Sequence, residues 1–503
     1  MLDHIVKYNI VYGISVLIGL LSNLAIVWIY SVGDVVDVYF SSIMLTTVFS
    51  AVFLDFLNKS FMTSIMRVRT ESAGLVDGFI TTVVTYTGLF FSILAICLIL
   101  VSPVIVNTLL PGYPIDKKAA VLHNMVLTVP ATVFLALSSL HECLWQERNN
   151  FGRVALATGA RPLTMLICIV LFHELLGEVA LPVGFLLGSM AAFITVAVGS
   201  GYRYRLNSIK LTEEVRSVLL RTTILSGSGF LSRLRPVIEQ FFGSSLEGGS
   251  VAALSLASKF IQPLYQGALR GVRLVTFTKG ADAVSRSKDT EHFNNLFQVS
   301  SAAIAVIMVP LCLWIVVNSN AIAALILING SQDGYLILGG ALMGLAPTIV
   351  TEGINRNLMG AQYARERIAF ISTLGPIATG SMLIFSMVLV DDYGVLGLAL
   401  SGTLASTLSL MINLFALSWA FKVINFRLFL SDLLQYLLFA SVCCLIAFYF
   451  FSAIDNVLVE LFLSFITMAS LYIVALVASG NLLFFMLINK IKSRFFKSKN
   501  HQW

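Results

Sequence analysis

The chain has 503 residues, 58% of them hydrophobic and 12% charged, with a mean hydropathy of +0.90. A soluble domain carries about 25% charged residues, so this composition excludes a soluble protein. The net charge of +6 does not mark a nucleic-acid binder, because the basic residues are distributed as in a polytopic membrane protein.

In chain order, about fourteen apolar runs are long enough to span a bilayer. They lie near 8–31, 37–62, 76–105, 119–144, 151–173, 179–202, 217–243, 250–277, 295–317, 333–359, 367–390, 394–420, 430–453 and 456–480. Long continuous runs rather than short alternating ones predict helices, not a barrel. The first run lacks a small-residue cleavage site and is taken as a span, not a signal peptide. The tail "LLFFMLINKIKSRFFKSKN" predicts a basic amphipathic membrane-surface anchor.

The basic residues test this order. Of the 32 Lys and Arg, six are placed as intramembrane charges: Arg161, Arg233, Arg235, Lys259, Arg270 and Arg356. Only Lys117 and Lys118 fall in odd-numbered loops; the rest lie in even-numbered loops, at the span ends beside them, and in the termini. The positive-inside rule then places both termini in the cytoplasm. The six cysteines lie in or beside apolar runs without metal-ligand spacing, which predicts buried thiols acting as small hydrophobes.

An internal repeat is also present. At one constant offset, "RVALATGARP" (153–162) lies over "RIAFISTLGP" (367–376), and "SVGDVVDVYFSS" (31–42) lies over "SLEGGSVAALSL" (245–256). The expectation is an all-α polytopic membrane protein of two pseudo-symmetric six-helix lobes plus two extra C-terminal helices. The lobes are placed at 1–210 and 211–425, helices 13 and 14 at 426–480, and the cytoplasmic tail at 481–503. Parallel repeats of this kind place a substrate site at their interface, near the midplane.

Charge inside a bilayer is costly and faces a cavity or a partner. The eighth span carries Lys259, Gln262, Gln266, Arg270 and Arg273. On one continuous helix these fall within roughly 80° of one another, with Ser255 beside them. The seventh span places Ser228, Ser232, Arg235 and Glu239 at steps of three or four, with Arg233 pointing elsewhere. The tenth holds Glu352 and Arg356, four apart, and the fifth holds Arg161. Lys259, Arg270, Arg235, Arg233, Gln262 and Gln266 are therefore expected to bind substrate in a cationic cavity. Its natural ligand is an anion such as a phosphate or diphosphate. Structural pairing of Glu352 with Arg356, and of Glu239 with Arg235, stays open. No external loop is large enough for a catalytic domain, and no nucleotide-binding glycine loop is present, so neither an enzyme nor a cofactor is expected.

Several stretches carry a family resemblance. "GSVAALSLASKFIQPL", "VPLCLWIVVNSNAIAALILING", "NLMGAQYARERIAF" and "GVLGLALSGTLASTLSLMINLFAL" resemble, in order, segments of the MviN/MurJ-type lipid II flippases. These belong to the multidrug/oligosaccharidyl-lipid/polysaccharide exporter superfamily. "GDVVDVYF" resembles their first external turn, with Asp37 on the family's aspartate. The resemblance implies a bacterial inner-membrane flippase whose lobes rock around a cationic cavity. It implies a polyprenyl-diphosphate-linked glycan as substrate, a tail groove on the last two helices, and glycan polymerases or glycosyltransferases of the same pathway as partners. No nucleic acid is implied.

Departures from the family pattern shape the expected substrate. Lipid II flippases carry arginines in the first two helices where this chain has Val16, Ser22, Ser50 and Ala51. Their eighth-helix arginine falls on or beside Lys259. The reading favoured here is a flippase for an undecaprenyl-diphosphate-linked oligosaccharide other than lipid II. Lipid II flipping proper, multidrug export and a membrane-embedded glycan polymerase or ligase are the alternatives. Asp37, Glu239, Glu352 and Arg356 are gate or coupling-ion candidates, with the ion unspecified.

Overall fold

The computed structural model describes residues 2–71, 76–148, 150–200, 212–266, 270–283, 290–327, 332–365, 367–420, 423–452, 454 and 456–479. The basic tail expected at 481–503 lies outside these residues. Among them every regular element is helical.

The first half holds α1 (Leu2–Tyr30), α2 (Asp34–Glu71), α3 (Val76–Leu109), α4 (Ile115–Thr128), α5 (Ala131–Glu147), α6 (Phe151–Leu176), α7 (Ala180–Ala197), α8 (Glu213–Gly229) and α9 (Arg235–Gly243). Then follow α10 (Ser250–Gln266), α11 (Arg270–Asp282), α12 (Thr290–Val317), α13 (Ser319–Ile326), α14 (Gln332–Leu345), α15 (Thr348–Ala364), α16 (Ile368–Phe415), α17 (Phe426–Phe451) and α18 (Val457–Ala478).

Among the described residues, nine runs are long and apolar enough to cross a membrane, and the pair α4–α5, bent by 40°, makes a tenth. Two of the runs, Gly152–Ala197 and Phe370–Trp419, are 46 and 50 residues long. Each holds two spans, because Gly177 (φ +55) and Gly394 (φ +53) turn the chain midway. Only glycine adopts that conformation without strain. With the interrupted segments α8–α9 and α10–α11, the chain is a polytopic all-α membrane protein of about fourteen spans. Large apolar side chains such as Leu100, Leu175 and Phe450 point outward, as a lipid-facing surface requires.

The expected seventh span is not one helix. A 3-10 turn at Leu231–Arg233 separates α8 from α9, and Pro236 stands at the start of α9. A proline ring blocks the preceding turn's carbonyl and removes an N–H, so the helix restarts there. The stripe expected from Ser228 to Glu239 is therefore not carried by one continuous helix, and the Ser228 side chain lies outside the described residues. The eighth span is also divided: α10 ends at Gln266 and α11 begins at Arg270.

Two compact units divide between Ser255 and Leu256, within α10. In the first, Leu57, Phe61 and Ile65 of α2 pack with Phe79 and Val83 of α3, Leu140 of α5, and Val215 and Val218 of α8. Phe61 and Phe79 stack at 6.0 Å. This packing of α8 on α2 carries the first unit past residue 210, the boundary inferred from the repeat. On the other side α1 lies against α6, where the Ser15 hydroxyl donates to Ala155 O at 2.9 Å.

The second unit is tied by neutral polar groups between α12, α15 and α16. Asn357 Nδ2 donates to Ser300 Oγ at 2.8 Å and Ser301 Oγ at 3.0 Å. Asn413 Nδ2 donates to Asn355 Oδ1 at 2.9 Å, and Gln362 Nε2 donates to Asn413 Oδ1 at 3.2 Å. The pair α17–α18 packs on α12, where Trp314 Nε1 donates to Ser464 Oγ at 3.1 Å. Asn425 and Asn456 cap these two helices, accepting from backbone N–H groups of their first turns. All six cysteines are free thiols, and five of them are buried.

Candidate functional site

The first N–H groups of a helix lack partners inside it. At α10 the chain supplies no capping side chain, because Gly249 precedes the helix in a positive-φ conformation (φ +91). A side chain there would also strike Val32, whose Cγ1 lies 2.9 Å from the added Cβ. The cap comes instead from α2. Asp37, 1% exposed, accepts the Ala252 N–H on Oδ1 at 2.7 Å and the Gly249 N–H on Oδ2 at 2.8 Å. One carboxylate thus satisfies two helix-start donors and complements the helix dipole.

Lys117 of α4 completes the cluster. Its ammonium donates to Asp37 Oδ2 at 2.8 Å and Asp34 Oδ1 at 2.7 Å, and sits 4.2 Å from the Tyr113 ring centroid. Tyr113 and Ser41 share a hydrogen bond of 3.0 Å, and the Ser41 hydroxyl donates to Gln240 Oε1 of α9 at 2.8 Å. Asp37 accepts three hydrogen bonds, one from an ammonium, so a cation seated on this carboxylate has to displace Lys117. The arrangement ties together α2, α4 and the start of α10.

The residues of the predicted cationic strip are divided between α10 and α11. Lys259 is half-buried on α10, Gln262 and Gln266 are exposed, and Ala257, Ile261 and Tyr265 are buried opposite. Arg270 opens α11, but its side chain lies outside the described residues. Arg273 Nη2 donates to Gln266 O at 2.6 Å, capping the last turn of α10. Arg233 is exposed in the 3-10 turn, while Arg235 and Glu239 are half-buried on α9 and within electrostatic reach of each other. Arg233, Arg235 and Lys259 are all engaged by other groups of the protein. Glu352 and Arg356 pair with each other at 3.1 Å. Glu352 Oε1 also accepts from Ser406 at 3.2 Å, and Arg356 stacks on Tyr265 at 5.3 Å.

Two features have little signal in the sequence. Lys117 reads only as a loop cation; its exception to the positive-inside pattern is the one local clue. Glu142, in "LHECLW" on α5, lies within electrostatic reach of Arg161 on α6, and nothing in the periodicity of either helix marks that proximity.

Residues 27–471 match the family model described as Lipid II flippase MurJ. No curated protein matches the chain by sequence. Among solved structures, a lipid II flippase MurJ in an inward closed conformation is 18% identical over 95% of this chain and 100% of its own, with a TM-score of 0.80. An inward-facing multidrug resistance MATE family transporter of the MOP superfamily is 13% identical over 80% of this chain and 96% of its own, with a TM-score of 0.64. A MOP superfamily transporter from Pyrococcus furiosus, described as having a binding pocket of reversed polarity, is 14% identical over 82% of this chain and 93% of its own, with a TM-score of 0.54. At these identities the solved structures establish the fold.

Proposed function

The chain belongs to the lipid II flippase MurJ family, and from that premise we propose that it moves lipid II across the bacterial inner membrane by alternating access. Members of this family are flippases, not enzymes. The observation that carries the substrate is the family match over residues 27–471. It supports lipid II over the other lipid-linked glycan that Val16, Ser22, Ser50 and Ala51 favour in the sequence.

In this reading both termini face the cytoplasm, as the distribution of Lys and Arg supports. The diphosphate is met by Lys259 and Arg270, with Arg235 and Arg233 adding positive potential and Gln262 and Gln266 offering hydrogen bonds to the head group. The Asp37–Lys117 latch lies toward the outer face, and release of the head group requires it to open. Glu239, Glu352 and Arg356 are the remaining charges available to a coupling ion. Enzymes that build or polymerise the glycan are the expected pathway partners.

The test is complementation in a bacterium depleted of its lipid II flippase. Rescue is expected from the wild type and not from the Lys259→Gln/Arg270→Gln double variant, with both proteins present in the membrane. Failure of the wild type to rescue, with protein in the membrane, overturns lipid II as substrate and returns the other lipid-linked glycan.

A further inference from the structure

Arg161 is the eleventh residue of α6, which places it about 15 Å from the helix start, near the middle of a hydrocarbon core roughly 30 Å thick. A charge at that depth faces protein or water, not lipid. The helix shows which. One and two turns to either side of Arg161, on the same stripe, stand Val154, Ala157, Met165 and Cys168, and all four are buried. The lipid-facing side of α6 is opposite, where Leu156, Leu163, Ile167 and Leu171 are exposed.

Arg161 therefore sits at the centre of the inward stripe. Yet its own side chain is exposed. An open side chain on an otherwise buried stripe marks a recess within the first unit. The side chain leaves α6 over α7 at Gly188, where an added Cβ would lie 3.2 Å from Arg161 Cγ.

Two ionisable groups lie within electrostatic reach of the guanidinium: Tyr39 of α2 and Glu142 of α5. The Tyr39 hydroxyl is committed to Met165 Sδ at 3.3 Å. Glu142 is half-buried and, among the described residues, accepts only a 3.3 Å hydrogen bond from Ser138. Among the described residues none hydrogen-bonds to Arg161 or pairs with it within ion-pair distance. This separates Arg161 from Arg233, Arg235 and Lys259, which the protein already engages.

We infer that Arg161 and Glu142 form a head-group subsite within the first unit, in which the Arg161 guanidinium takes a phosphate of the substrate and Glu142 accepts a glycan hydroxyl. The inference rests on the lipid-linked substrate proposed above. A guanidinium offers five donors in a planar fork that matches a phosphate edge. A carboxylate beside it repels a second bare anion but accepts sugar hydroxyls. Together they select a phosphate carrying a sugar over a fatty-acid anion, and they disfavour a cationic drug. The subsite also supplies the first unit with a phosphate-binding cation, which Val16, Ser22, Ser50 and Ala51 do not.

The test uses the full-length protein in nanodiscs, with undecaprenyl diphosphate and lipid II as probes. Arg161→Gln is expected to weaken binding of both by about tenfold or more, and Arg161→Lys to recover most of the loss. Glu142→Gln is expected to weaken lipid II by about fivefold and to leave undecaprenyl diphosphate within about twofold. An Arg161→Gln variant that binds undecaprenyl diphosphate as tightly as the wild type overturns the subsite while leaving the substrate standing. A wild type that binds neither lipid removes the substrate and the subsite together. Arginine labelling of the wild type with phenylglyoxal, read by mass spectrometry, covers a variant that does not fold. Undecaprenyl diphosphate is expected to protect Arg161 where uncharged undecaprenol does not, and equal labelling overturns the proposal.

Discussion

The two units are held together by different chemistry. In the first, the start of α10 is held by charge: Asp37 between two backbone N–H groups and Lys117. In the second, α12, α15 and α16 are joined by neutral amides and hydroxyls around Asn355, Asn357, Gln362 and Asn413. A buried charge cluster is strong while complete, and losing one partner leaves another charge stranded. A neutral network strands only a dipole, at lower cost. The first chemistry suits a joint that is either closed or open, and the second suits helices that stay together.

The largest effect is expected at Asp37. Asp37→Asn removes the charge that holds Lys117 and weakens the α10 cap, and should destabilise the protein by about 3 kcal/mol. Unfolding in detergent measures it. Adding Lys117→Met should recover part of the loss, because the buried ammonium, left with Asp34 as its one carboxylate among the described residues, goes with it. No recovery would mean that the latch is not held by charge.

A smaller effect is expected in the second unit. Asn413→Leu strands Asn355 Oδ1 and the Gln362 amide, and should cost about 2 kcal/mol in the same measurement. A cost equal to that at Asp37 would erase the contrast between charged and neutral joints.

The smallest effect tests what the halves share. Gly177 and Gly394 have nearly the same backbone angles, φ 55, ψ −133 and φ 53, ψ −128, between adjacent spans. Neither has any atom within 4 Å of an added Cβ. Gly177→Ala and Gly394→Ala should each cost about 1 kcal/mol, from backbone strain alone. Markedly unequal costs would break the equivalence of the two turns.

Much of this fold is legible in the sequence. The apolar runs are separated by loops, and Pro162 and Pro376 stand at equivalent places inside the spans that the repeat aligns. The break between α8 and α9 was within local reach too, since Gly229 and Pro236 flank it. The periodic placing of Ser228, Ser232, Arg235 and Glu239 masked it, because a pattern of steps does not show where the backbone stops being helical. At the site, Asp37 is legible through the resemblance of "GDVVDVYF". The role of Lys117 is not, because its partners lie in other helices.

The sequence by itself determined the class, the number of spans and their order, because the bilayer dictates each span's length and obliges its backbone to bond internally. Those requirements are local, and composition reads them directly. Only the tertiary structure decided which charges meet. It turned Asp37 onto the α10 backbone and Lys117, closed Glu352 onto Arg356, and left Arg161 open on an inward stripe within electrostatic reach of Glu142. Except for the Glu352–Arg356 pair, the partners stand on different helices. Their meeting depends on how each helix is rotated and set against its neighbours, which no single helix's periodicity encodes.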